Sequence, residues 1–416
     1  MQMSFLENKP PHQALGWQAD RASGLEQLAS FVPRAGRSYA QTRNSDFGAG
    51  HHTNVSVLSP WLRHRLVLEE EVLRATLKHH SLASAEKFIQ EVFWRAYFKG
   101  WMEQRPDVWR TYREGTETLI EQLDSDLDVK QAYEAAVSGS TGIDCFDWWA
   151  RELVDTGYLH NHARMWFASI WIFTLRLPWQ LGADFFLRHL LDGDPASNTL
   201  SWRWVGGLHT KGKHYLARPD NIERFTNGRF RPVGLVTDAL PLVEDKEFAQ
   251  VPLDSPQNVE IDEPFGLLIT EEDMNGESLS FNGRPISVVG LLATDKRSSL
   301  DVGQLAKNFA ADGMKDAVTR ASDHYQCESH ESVLNSPDSL SDWAHKNGFK
   351  TILTARPPVG PVQEELTAAQ PHLQAEGVKL VLVERRYDQL CWPHANKGFF
   401  KLKKKIPQLV HDLLLE

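Results

Sequence analysis

Arg164, Asp192, Asp194 and Asn198 stand in a stretch, Thr141 to Phe230, that is otherwise crowded with rings: Trp148, Trp149, Trp166, Trp171, Trp179, Trp202 and Trp204. Charges set among so many aromatics are expensive to bury unless they pair or bind something charged. A polar, charged ligand held deep in an aromatic helical domain satisfies that requirement. Each residue also has a plainer reading. Arg164 and Asp192 suit a helix-to-loop ion pair, Asp194 a cap before Pro195, and Asn198 a cap on its own helix.

Two more groupings carry chemistry by spacing. Glu91, Trp94 and Arg95 fall at i, i+3 and i+4 of an amphipathic run, SAEKFIQEVFWRAYFKGWMEQ, and Asn161, Arg164 and Met165 repeat that spacing. Each triple therefore shares one helix face. Plain helix packing is the competing explanation, although a glutamate beside Trp94 fits it poorly. Trp202 and Trp204 lie two apart and point in roughly opposed directions. In VSVLSP, Ser56 and Ser59 offer hydroxyls and amides near a helix start, which suits phosphate as well as it suits an ordinary cap.

The motifs HNHARM, ending at Met165 in the run that opens at Thr141, and DGDPASNTLSWRW (Asp192–Trp204) resemble the flavin-binding domain of the photolyase/cryptochrome family. The likeness is near-continuous from about Gly24 to Phe230. It implies an all-helical, photolyase-type FAD-binding domain. By resemblance Tyr39, Ser56, Val57, Leu58 and Ser59 hold the FAD phosphates, with Val55 where the family usually has Thr. Arg164, Asp192 and Asp194 lie at the flavin, the guanidinium stabilising the reduced ring's negative charge. Asn198 faces the flavin N5 atom, and Asn there resembles photolyases. Trp202 and Trp179 match two tryptophans that re-reduce excited flavin. The family's outermost tryptophan has no counterpart around Leu119–Asp128; Trp109, Trp148 or Tyr112 substitutes, or the path ends differently.

The same resemblance assigns Glu91, Trp94, Asn161, Met165 and Trp204, with Arg43 and Arg95, to a cavity for a flipped pyrimidine dimer. A damaged step is weakly stacked, and aromatic walls replace its stacking. Glu91 and Asn198, with the two relay tryptophans, are the expected catalytic residues. Ala96, Tyr158 and Phe88 depart mildly from the family pattern and put substrate preference in question. His160 and His162 read as structural or proton-relay residues. The expected function is light-driven repair of cyclobutane pyrimidine dimers in DNA, with reduced FAD as electron donor. The rivals are a cryptochrome-like light sensor acting through a protein partner, and a silent scaffold.

These residues need a scaffold of two domains, the prior for 416 residues. In a first domain of residues 1–230, a loose lead-in over 1–23 precedes helical patterns, a proline-rich linker covers 231–264, and strands alternating with helices over 265–416 indicate a smaller α/β, Rossmann-like domain. The fold class expected is thus multi-domain, α followed by α/β. Family members place an antenna-type α/β domain before the flavin domain, so 265–416 reads as a rearranged antenna-like domain or as an unrelated unit. It holds neither GxGxxG nor a P-loop. Hydrophobic residues at 41% and charged ones at 24% describe a soluble protein, and no apolar run reaches the ~18–20 residues of a membrane span. The N-terminal residues lack a signal-peptide pattern. Cys145, Cys327 and Cys391, few and widely spaced, argue against disulfides, zinc and iron–sulfur clusters, so a cytoplasmic, metal-free protein is expected. Residues 1–230 carry 26 basic and 27 acidic side chains, against 19 and 28 beyond. DNA binding must then rest on a local basic patch rather than the total.

Overall fold

The computed structural model describes residues 16–254, 260–329 and 339–414; most of the expected lead-in before Gly24 lies outside them. Helix starts follow cap and proline positions. α1 (Arg21–Phe31) begins after Asp20, whose carboxylate accepts from the Ser23 amide at 2.6 Å. α2 (Arg37–Thr42) leads to a loop, and α3 (Ser59–Arg63) carries Pro60 in its first turn. Then come α4 (Glu69–His79), the long α5 (Glu86–Glu103), α6 (Pro106–Gln122), α7 (Leu127–Ser138) and α8 (Asp144–Thr156). α9 (Asn161–Ser169) runs into a single π-helical turn, Ile170–Thr174. α10 (Trp179–His189), α11 (Pro195–Gly206) and α12 (Pro219–Phe225) complete the helical part.

α10 and α11 approach closely because Gly182 has no side chain. A Cβ there would lie 2.6 Å from Cζ3 of Trp202 and 2.8 Å from Cε2 of Trp171. Among the described residues, 231–264 contains no helix or strand, yet it is strapped to the helices. Arg203 holds Glu244 through two bonds of 2.8 and 2.6 Å, and the Leu242 and Val251 amides donate to Gly206 and Gln104 carbonyls.

Beyond the strap, short buried runs make the strands β1 (Phe265–Thr270), β2 (Ser287–Leu291) and β4 (Thr351–Ala355), flanked by the exposed β3 (Glu328–Ser329) and the half-buried β5 (Lys379–Val383). All pair in parallel, in the order β3-β2-β1-β4-β5. Crossovers use α13 (Gln304–Tyr325), α14 (Ser339–Asn347) and α15 (Pro361–Ala375); α16 (Arg386–Cys391), α17 (Phe399–Lys403) and α18 (Ile406–Leu414) follow the last strand. The structure is the expected α followed by α/β. One apolar cluster joins the early helices (Trp61, Phe93, Tyr97) to Leu267, Val288, Met314 and Trp392, so the core continues across the expected domain border. Gly100 permits a close approach, since its Cβ would meet the Trp392 backbone at 2.8 Å.

The carboxyl ends of β1 and β4 point at α3 and α5. Glu271, Glu272 and Asp273, directly after β1, are buried. Glu272 takes Arg63 at 2.7 Å and Lys99 at 3.2 Å; Asp273 takes Arg385 at 2.7 Å and Arg65 at 3.4 Å; Glu271 takes Arg297 at 3.2 Å. After β4, Arg356 reaches Glu103 of α5 at 3.3 Å, and the Val359 amide donates to the same carboxylate at 2.6 Å.

Candidate functional site

Five segments converge on the residues expected to carry chemistry: α2, the loop before α3, α5, α9, and the turn into α11. The loop before α3 is the first wall. Val57 adopts φ +54°, left-handed, and Leu58 follows in a right-handed helical conformation. Successive residues of opposite hand are the backbone pattern from which anion-binding nests are built. A β-branched residue with positive φ is an outlier that costs roughly 1–3 kcal/mol, and such strain concentrates at functional sites. Ser56 and Ser59 are half-buried here; the Ser56 carbonyl is held by Gln27 at 2.7 Å, and the Leu58 amide donates to Ser56 Oγ at 3.4 Å. Tyr39 is buried, edge-on to Phe88 at 5.3 Å.

On α9 the Arg164 guanidinium grips Asp192 with two bonds, 3.0 and 2.8 Å, and donates through Nε to the Leu159 carbonyl at 2.9 Å. The carboxylate is buried while the guanidinium stays 23% exposed, so its charge is fixed in place and still open to a ligand. Asn198, on the first turn of α11, donates Nδ2 to the Ala183 carbonyl at 2.7 Å. That bond dictates the amide's orientation, leaving Oδ1 as an acceptor.

Asp194 is different. One oxygen caps α11 by accepting from the Ser197 amide at 2.7 Å, and the other lies 2.8 Å from the Lys99 ammonium. Burial pushes its pKa up, but Lys99, Arg95 and Arg63 together hold the carboxyl well below the usual range. Both its oxygens are thus engaged inside the protein, in the capping role that its place before Pro195 suggested.

Glu91 lies 2.6 Å from the Arg43 guanidinium, and His160, the residue before α9, contacts the Arg43 carbonyl through Nε2 at 3.1 Å. Arg43 therefore links the α5 and α9 faces. Burial raises the Glu91 carboxyl, and Arg43 only partly offsets it. Arg95 donates to the Leu62 carbonyl at 3.1 Å while its buried Nε finds no partner among the described residues. Asn161 is exposed; Met165 and Trp204 are half-buried, Trp204 stacked on Tyr215 at 5.8 Å. Trp94 is unlike the expectation of an open wall. Phe399 of α17 stacks on it with centroids 3.7 Å apart and planes 11° apart, so one face is already covered.

The tryptophans divide into two groups. Trp202 is buried edge-on against Trp171 at 6.1 Å and Phe186 at 5.1 Å. Trp179 instead stacks on Tyr112 at 5.6 Å, which contacts Trp109 at 5.4 Å; Trp109 then donates to exposed Glu364 at 2.6 Å. Of the expected substitutes, Tyr112 and Trp109 extend from Trp179, whereas Trp148 packs elsewhere, against Phe230. His160 accepts at Nδ1 from the His162 amide and is neutral, burial lowering its pKa to about 3. His162 Nδ1 meets the Asn44 carbonyl at 2.8 Å, so both histidines tie the start of α9 to the segment after α2. No cluster able to hold a metal occurs among the described residues. No helix among them is long and apolar enough to cross a membrane.

Two contributors escaped the sequence reading. Lys99 stands one turn beyond Arg95 on the same face, a signal that was present in the i, i+4 spacing. Phe399 lies more than half the chain from Trp94, and nothing local announces the contact.

A family model described as the FAD binding domain of DNA photolyase matches residues 88–228. That stretch belongs to the photolyase/cryptochrome family. The deoxyribodipyrimidine photo-lyase of Streptomyces griseus is 33% identical over 216 residues, 47% of this chain and 46% of that protein. The one from Thermus thermophilus is 32% identical over 200 residues, 47% and 44%. This chain spans less than half the length of those curated relatives. A bacterial class III photolyase structure from Agrobacterium tumefaciens aligns over 50% of this chain and 43% of its own, with 26% identity and a TM-score of 0.42. A cryptochrome from Synechocystis sp. aligns over 53% and 46%, with 24% identity and a TM-score of 0.42. The cofactor of the domain is FAD. The residues fit it: a strained nest at Val57–Leu58 suits phosphate, the Arg164 fork suits an electron-rich ring, and the Asn198 oxygen is free to accept.

Proposed function

We propose that this protein repairs cyclobutane pyrimidine dimers in DNA, driven by light. The observation that carries the reading is the Arg43–Glu91 pair on the face shared with Trp94, tied through Arg43 to the segment that leads into Arg164. The Glu91 side chain is 35% exposed beside Trp94 while Arg43 holds it, so its carboxyl is both oriented and reachable. The photo-lyase names of the relatives support the same substrate class.

FAD in its reduced form supplies a light-excitable donor of one electron. Tyr39, Ser56, Val57, Leu58 and Ser59 would hold its phosphates, and Arg164, Asp192 and Asn198 its ring. The chain does the positioning. Arg164, locked by Asp192, sets a fixed positive charge that needs no reorganisation when charge moves. Glu91, its carboxyl raised by burial, hydrogen-bonds the base edge and stabilises negative charge on the substrate, and Arg43 keeps it oriented. Trp94, backed by Phe399, cannot swing, while Met165, Asn161 and Trp204 complete the wall. Arg95 is close enough to Asp194 to act on its charge. The two cyclobutane bonds open and the electron returns, so the reaction is redox-neutral overall.

The rival reading is a light sensor of cryptochrome type, and the Phe399 stack favours it by covering one face of the Trp94 wall. The two separate in one experiment. The purified yellow protein is divided: one part is illuminated oxidised to follow photoreduction, the other is first reduced, mixed with an oligonucleotide bearing a thymine dimer and illuminated with blue light. Restored thymines in the second part support repair; photoreduction in the first without restored thymines in the second supports the sensor.

A further inference from the structure

Lysines 397, 401, 403, 404 and 405 fall within nine residues of a chain whose formal net charge is −10. Lys397, Lys401, Lys404 and Lys405 are exposed, and no carboxylate pairs with them among the described residues. In their midst Phe400 is 75% exposed, while its neighbours Phe399 and Leu402 are buried. The segment is firmly seated: Phe399 stacks on Trp94 and meets Tyr97 edge-on at 5.7 Å, and Lys403 reaches Glu86 at 3.1 Å. α17 therefore lies along α5 from Tyr97 back to Glu86, beside the turn that carries Glu91. Lys401 and Lys405 also share a field, since both add to the burial that lowers the His394 imidazole.

We propose that Lys401, Lys404 and Lys405 bind the phosphates of the DNA strand flanking the lesion, and that Phe400 stacks on a base beside it. The proposal rests on the repair reading above and assigns its DNA contacts to the C-terminal segment. Lysines without partners neutralise phosphates and release counterions. One exposed ring between them suits a base, because stacking needs only a π face. Insertion into lipid needs an apolar face broader than one side chain. A flipped dimer leaves an unstacked step behind it, and an exposed ring supplies the stacking that step lacks.

Binding in the dark tests this without any turnover. Fluorescence anisotropy with a short labelled duplex carrying one thymine dimer is compared with the undamaged duplex and the single strand, between about 50 and 200 mM salt. The K401Q/K404Q/K405Q protein should bind every DNA more weakly, with the slope of log K against log salt reduced by about 3. F400A should lose about fivefold or more on the dimer duplex and less on the undamaged one. Flavin content and far-UV dichroism should match the wild type, since all four residues are at the surface. Wild-type discrimination of the dimer with unaltered binding by both variants overturns this surface and leaves the repair reading standing. A wild type that binds no DNA overturns both.

Discussion

Replacing Gly182 by alanine asks whether the Trp202 indole sets the gap between α10 and α11. The new methyl would sit 2.6 Å from Cζ3, closer still to Cη2, and 2.8 Å from Cε2 of Trp171. Carbon contacts settle at ~3.5–4.0 Å, so the rings or the helices must move by about 1 Å. Trp202 is fully buried and boxed by Phe167, Trp171 and Phe186, and overpacking of such a core costs roughly 1–3 kcal/mol. Against that, alanine in a helix interior gains about 1 kcal/mol over glycine. The net is a destabilisation of roughly 0–2 kcal/mol, too small to interpret alone. A double-mutant cycle removes the ambiguity. The two shortest contacts are with the six-membered ring of the Trp202 indole, which Trp202→Phe repositions and shortens, while the 2.8 Å contact with Trp171 remains. In that background the cost of Gly182→Ala should fall by about 1 kcal/mol. Urea unfolding gives the energies, and near-UV dichroism reads the displaced indole in the single variant. An equal effect of Gly182→Ala in both backgrounds, with an unchanged near-UV spectrum, would refute the reasoning.

Glu91→Ala should lower the yield of restored thymines by about tenfold or more, as expected for a group that stabilises developing charge, while FAD content is unchanged; loss of flavin would place the residue elsewhere. Trp202→Phe should block photoreduction of the oxidised protein and spare repair by protein already reduced. Persistent photoreduction would implicate the Trp179–Tyr112–Trp109 run instead. Glu103, buried between α5 and the end of β4, has its carboxyl pushed up to about 7 by burial. Folding therefore favours its protonated form, and that stability is complete below the unfolded carboxyl range and lost as pH rises through about 7. Glu103→Gln should flatten this dependence and stabilise the protein at pH 8 by up to about 3 kcal/mol, measured by urea unfolding at pH 6 and pH 8; an unaltered slope would reject the assignment.

The site was legible where one helix or turn carries it. Glu91, Trp94 and Arg95 share a face because 3.6 residues make a turn, and the Arg164–Asp192 fork could be read from two motifs because each is locally rigid. The parallel sheet was legible because FGLLIT, FKTILTA and VKLVLVE are continuous apolar runs bounded by turns. Some contacts could not be read, because side chains far apart in the chain make them. Phe399 on Trp94, Arg65 with Asp388 and Trp109 with Glu364 each join the helical part to the last third of the chain. Asp194 shows the limit from the other side. Its motif suggested a ligand contact, but its place before Pro195 already offered a cap, and only the position of Lys99 decides between them.

Lys99 also changes what the α/β part contributes. In a parallel sheet of this kind the crevice for a ligand opens outside the carboxyl ends of the strands, where the strand order reverses. Here that reversal lies between β1 and β4; α3 and α5 fill it with Arg63 and Lys99 at the β1 end, and α5 with the Glu103 carboxylate at the β4 end. Lys99 divides its charge between Asp194 at the foot of α11 and Glu272 at the end of β1. Removing Glu272 would leave Arg63 and Lys99 buried with too little negative charge, a change that costs roughly 3–5 kcal/mol when a buried pair is broken. The same cations hold Asp194, and Asp194 caps the helix that carries Asn198 and Trp202. The α/β part is thus a wall of the site's foundation, and the geometry around Asn198 depends on acidic residues that a helical domain alone does not possess.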